Sequence, residues 1–143
     1  MNVRGARRGR GWVLAWLALG GAALAGEFTA ADYTGHVQAL RQKFPLVGFA
    51  VVVTPPFVVL GDDTEERVRF QAEHTVRWAV TRLKREFFAR DPAEILDIWL
   101  FRDRASYERN TRALFGRAPT TPFGFYSETN RALIMNIGTG GGT

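Results

Sequence analysis

Cysteine is absent from all 143 residues. That excludes disulfides, thiol catalysis and thiolate metal ligation, so the core alone must hold the fold. Histidine is nearly as scarce, with two in the chain. A zinc-binding helix needs histidines four apart on one face, but the places four residues either side of His74 are Phe70 and Trp78. His36 likewise reads as having no close acidic or histidine partner, and both read as surface or half-buried residues. Ser106 and Ser127 are the only serines. Neither lies in the Gly-x-Ser-x-Gly elbow that exposes a nucleophile, and Ser106 fits the first turn of a helix. No complete catalytic set is visible.

The first twenty-five residues read as an export signal. Arg4, Arg7, Arg8 and Arg10 form a cationic head, Trp12 to Leu24 carries no charge, and Ala23-Leu24-Ala25 is a small-x-small cleavage box. The apolar stretch is shorter than the ~20 residues of a membrane span. With no cysteine after the box, a lipoprotein anchor is excluded. The expectation is an exported chain, periplasmic or secreted, that meets the membrane only through its leader.

The formal charge of +5 misleads, because four of the nineteen basic residues sit in that leader. Fifteen remain against fourteen acidic ones, a balance of +1 over residues 26–143. A nucleic-acid binder concentrates basic charge on one face, so nucleic acid is not an expected partner. Residues 26–143 suit one domain with its own core.

Along that domain the pattern alternates. Tyr33, Val37, Leu40 and Phe44 mark a helix over 30–43, ended by Pro45. Leu46–Val53 is an almost unbroken apolar run, Pro55-Pro56 breaks it, and Phe57–Leu60 resumes it. This predicts a bent strand or a hairpin. A long helix follows from about Thr64 to Arg90, with Asp63 as its cap and Glu66 completing a capping box. Val68, Ala72, Val76, Ala79, Leu83 and Phe87 form its apolar stripe. Ile95–Phe101 reads as a central strand. Asp103 caps a second helix carrying Tyr107, Thr111 and Leu114, which Gly116 ends. Phe123–Ser127 and Arg131–Ile137 predict a hairpin around Glu128-Thr129-Asn130. The expected fold is α/β (α+β), a single mixed sheet with helices packed on it.

Asp97 interrupts an otherwise apolar strand and must find a partner or a cleft; an arginine or a backbone donor is the expected partner. The glycine-rich end, Gly138 to Thr143, lacks the Gly-Lys-Ser/Thr close of a phosphate loop. Coming straight after a strong strand, it reads as a connector that leads somewhere rather than as a finish.

Three ordered stretches then carry a resemblance: Asp97-Ile98-Trp99-Leu100-Phe101, Thr121-Pro122-Phe123-Gly124-Phe125-Tyr126, and Met135-Asn136-Ile137-Gly138-Thr139-Gly140-Gly141-Gly142-Thr143. Together with Phe57–Asp63 and the helix after it, they make most of residues 45–143 resemble exported bacterial zinc metallopeptidases of the gluzincin, or peptidase MA-like, type. The resemblance implies that residues 26–143 are the amino-terminal scaffold of such an enzyme. Its His-Glu-x-x-His helix would follow the glycine-rich turn, with zinc as cofactor and a peptide or protein as substrate. No zinc ligand or general base is carried onto this chain, which is expected to be catalytically silent alone. The resemblance further implies that Arg131–Ile137 is a sheet edge facing substrate, with Ala132, Leu133, Ile134, Met135 and Asn136 as binding residues. An uncovered apolar face near Ile134–Ile137 is expected where the helix would sit. The alternative reading is a small exported interaction module that uses an exposed edge strand.

Overall fold

A computed structural model describes residues 28–86 and 90–140. The export signal lies outside these residues, as do Phe87 and the last three positions. Helix α1 spans Ala30–Lys43, and Thr29 and Asp32 form a reciprocal capping box at its start. Strand β1 is Ala50–Thr54 and β2 is Phe57–Gly61, paired antiparallel across the Pro55-Pro56 turn. The bend-or-hairpin expectation resolves as a hairpin. Its first strand starts later than the apolar run does, because Val47 and Gly48 make a turn in which Gly48 takes φ +81° and Val47 is 94% exposed.

The long helix is not one regular rod. Helix α2 covers Glu65–Gln71, a π turn covers Ala72–Val76, and helix α3 covers Arg77–Glu86. Its cap is Thr64, whose hydroxyl accepts the Arg67 amide; Asp63 sits one residue too early and accepts the amide of Thr64 instead. The π turn has a cause in the pattern. Val68, Ala72, Val76 and Val80 recur at strict fours, and an α-helix of 3.6 residues per turn would carry them steadily off the sheet. One wide turn takes up the excess, so Val80 packs against the sheet cluster where Ala79 was expected. The opposite ladder, Phe70, His74 and Trp78, keeps the same spacing in solvent, with Phe70 and His74 stacked.

Strand β3 is Leu96–Phe101. Helix α4, Arg104–Phe115, starts at Asp103, whose carboxylate accepts the Ser106 amide, and ends on Gly116 in the left-handed region. Strands β4, Gly124–Ser127, and β5, Ala132–Asn136, form the second hairpin, followed by a 3₁₀ turn over Ile137–Gly140. The sheet order is β1-β2-β3-β5-β4, with β2, β3 and β5 parallel and the outer strands antiparallel. The expected mixed sheet with helices on it is what forms, and the described residues contain no helix long and apolar enough to cross a membrane.

Two apolar layers sandwich this sheet. On one face Val58, Leu60, Trp99, Phe101, Ala132 and Ile134 meet Tyr33 and Leu40 from α1, Phe44 just past its end, and Tyr107 from α4. On the other, Val52, Val59, Ile98 and Leu100 meet Val68, Ala72 and Val76. Burial on both faces is why β2 and β3 read as continuous apolar runs rather than alternating ones. Trp99 is the centre of the first layer, with Phe44, Phe49 and Phe115 edge-on to its indole.

Candidate functional site

Strand β5, expected to be the substrate-facing edge, is internal. It pairs with β3 on one side and β4 on the other, so its backbone groups are already engaged. The edge assignment for Ala132, Leu133, Ile134, Met135 and Asn136 is therefore corrected. Ala132 and Ile134 are sealed in the core. Asn136 is buried too, donating from Nδ2 to the Pro122 carbonyl at 2.9 Å and accepting the Gly138 amide at 3.1 Å. It ties the loop before β4 to the turn after β5. Leu133, Met135 and Ile137 are half-buried and pack against the α2-side cluster.

The sheet edges are β1 and β4, and the one beside β5 is β4. Asn136 donates its amide to the Phe123 carbonyl, so by antiparallel alternation the backbone groups of Gly124 and Tyr126 point away from the sheet. At Gly124 they are occupied: Thr121 Oγ1 donates to its carbonyl at 2.6 Å and accepts its amide at 3.1 Å. A side chain at Gly124 would place its Cβ 2.6 Å from the Ile134 carbonyl oxygen, which accounts for glycine there. Tyr126, 51% exposed, is left as the outward-facing residue of this edge.

At the carboxyl ends of β2 and β3 lies a polar knot. Asp62, just past β2, accepts the Arg102 amide at 2.9 Å, the Ser106 hydroxyl, and the Asn110 side-chain amide at 3.3 Å. Asn110 also donates to Ser106 Oγ at 2.9 Å. Ser106 is buried, and its hydroxyl is held between the Asp62 carboxylate and the Asn110 amide with no histidine beside it among the described contacts. This arrangement fastens α4 to the sheet; it does not activate a nucleophile.

At the opposite end of the sheet, Asp97 and His36 meet. Asp97 is the second residue of β3, and its side chain is 7% exposed. His36 reaches down from α1 to put Nε2 2.7 Å from Asp97 Oδ1. The expected arginine or backbone partner is thus a histidine 61 residues away. The pair floors a cleft of about 600 Å³ whose walls include Phe28, Leu40 and Ile95. On its rim Lys43 donates to Asn130 Oδ1 at 3.1 Å, and Arg131 pairs with Glu94 at 2.5 Å. Arg131 closes the hairpin turn with φ 50°, an unusual conformation for a residue with a side chain.

Burial pushes the Asp97 carboxyl above its ordinary value of 3.8, while the hydrogen bond and charge of His36, then the charge of Lys43, pull the other way. A raised folded-state value means the protonated acid is favoured by folding. The stability it contributes is full below 3.8 and is lost as pH rises through the raised value. Relative to Asp97→Asn, the native protein should therefore lose stability as pH climbs out of the acid range. Parallel urea titrations of the two proteins at several pH values would measure this, and a constant difference between them would refute it.

Among the described residues, no three His, Asp or Glu side chains converge as a metal-ligand set. No family model matches the chain, and no curated protein or solved structure is significantly similar to it.

Proposed function

We propose that this chain supplies the sheet scaffold and peptide-binding edge of an exported zinc peptidase. The observation that carries the reading is the edge strand β4: it is short, antiparallel to its neighbour, and turns the Tyr126 backbone outward. An extended peptide can add to such an edge through main-chain hydrogen bonds, with side-chain pockets setting preference. The stretches that resemble gluzincins support the scaffold part of this reading; the edge role rests on β4 alone. On this reading the zinc ligands and the general base lie outside the described residues, and no hydrolytic step is assigned to the residues described.

The test uses the protein expressed from its native gene and a quenched fluorescent peptide. Hydrolysis that a zinc chelator abolishes and added zinc restores is the expected result. Tyr126→Pro then probes the edge. Proline removes only an amide that points away from the sheet, a placement edge strands tolerate, so the fold should survive. The loss of one main-chain hydrogen bond, about 1 kcal/mol net, should raise KM roughly fivefold with kcat nearly unchanged. A second reading, an interaction module that pairs a partner's strand on this edge, rests on the same observation. Peptide capture that Tyr126→Pro weakens, with no chelator-sensitive hydrolysis, would select it over the peptidase.

A further inference from the structure

We propose that the His36–Asp97 cleft is a binding site for a primary ammonium group carried on an apolar body. This does not depend on the peptidase reading, since it rests on a different part of the sheet and on different residues.

The unmatched group in the cleft is an acceptor. Asp97 Oδ1 is engaged by His36, whereas among the described residues Oδ2 has no hydrogen-bond partner and is not one of the sealed unpartnered atoms, which are Trp99 Nε1 and Thr111 Oγ1. A carboxylate whose side chain is more than nine-tenths buried therefore opens one oxygen onto the cleft. Carboxylates only accept, and each oxygen has two lone pairs to fill. A ligand that satisfies this one must bring N–H or O–H donors, and a charged donor makes the stronger bond.

The rest of the cleft narrows the class. Of its two rim cations, Arg131 is paired with the Glu94 carboxylate, and Lys43, held by Asn130 Oδ1, sends its charge towards Asp97. An anion would also have to approach the free Asp97 oxygen. A metal ion is disfavoured by the ligand count. Phe28, Leu40 and Ile95 offer apolar wall to a hydrocarbon or aromatic body, and the volume lies within the range of small-molecule sites. The ammonium sits on Asp97 and the apolar body lies along α1. A free amine and the amino terminus of a peptide that begins with an apolar residue share this chemistry.

The test is a titration of the full chain, followed by NMR shifts of the His36 ring and of the Asn130 and Arg131 amides. The probes are phenethylamine, the tripeptide Phe-Gly-Gly amide, and N-acetyl-phenylalanine amide. Both amines should bind and shift the His36 ring, and the acetylated compound, which keeps the phenylalanine body but has no charged amine, should bind at least about tenfold more weakly. Asp97→Asn should weaken the amines by a similar factor. Equal affinity for the two amines assigns a small-amine site. Tighter tripeptide binding that also moves Asn130 and Arg131 assigns a peptide terminus, and either result upholds the proposal. It is overturned if the acetylated compound binds as well as the amines, if neither amine binds, or if Asp97→Asn leaves their affinity unchanged. The acetylation comparison is made on the native protein, so it decides the matter even if the variant does not fold.

Discussion

Trp99→Ala should cost about 3–5 kcal/mol of folding stability, the range for emptying a large aromatic from a packed core. A domain of this size holds only about 5–15 kcal/mol in total, so the variant should sit near its unfolding midpoint at modest denaturant concentration. The size of the effect follows from position. Trp99 is wholly buried in the central strand and touches three phenylalanines that come from α1, from the segment before β1 and from the end of α4. Removing it leaves those three rings facing a void that the two flanking parallel strands prevent from closing. Trp99→Phe should recover much of the loss, since the indole N–H makes no hydrogen bond that would be forfeited. Urea unfolding followed by far-ultraviolet circular dichroism would measure both. A cost below about 1 kcal/mol for the alanine variant, the level of an ordinary substitution, would contradict the packing described.

The second large effect is expected at Asp62. Replacement by alanine strips the acceptor from the Arg102 amide, the Ser106 hydroxyl and the Asn110 amide together. Buried donors left without partners cost about 1–3 kcal/mol each. Of the three, Ser106 is the one fully enclosed; Arg102 and Asn110 can recover water. A loss of about 2–4 kcal/mol follows. Asp62→Asn keeps one acceptor oxygen and should lose about half as much. The double variant Asp62→Ala, Ser106→Ala should lose less than the sum of its parts, because the second change removes the donor that the first leaves unpaired. Strict additivity in that cycle would show that the two side chains do not act together.

Much of the architecture was legible in the residues. Asp103 and Gly116 bracket α4 because a carboxylate cap and a glycine able to take positive φ are local requirements. The apolar stretch Ile98–Phe101 marks a strand covered on both faces, which is what β3 is. What escaped reading was long-range. Nothing around His36 announces Asp97, and the pair exists only because α1 lies across the amino end of β3. Nothing beside Asp62 points to α4, yet its carboxylate is turned to Ser106 and Asn110 on that helix. The misplaced edge had a signal that could have corrected it. Ala132-Leu133-Ile134-Met135 is apolar on both of its faces, the mark of an internal strand, whereas Gly124–Ser127 contains a glycine, a tyrosine and a serine in four residues.

The π turn at Ala72–Val76 holds one residue more than regular winding needs. Each residue of an α-helix advances about 100° around its axis. A one-residue deletion inside the turn would therefore restore regular winding and leave Val80 on the sheet and Trp78 in solvent. The same deletion made after the turn, between Arg77 and Val80, has nothing to absorb it and would carry Val80 off the sheet by roughly that angle. This one stretch of the helix behaves in that respect like a surface loop, which can gain or lose a residue at little cost. Among homologous chains, a single-residue gap in this helix should fall between Gln71 and Arg77.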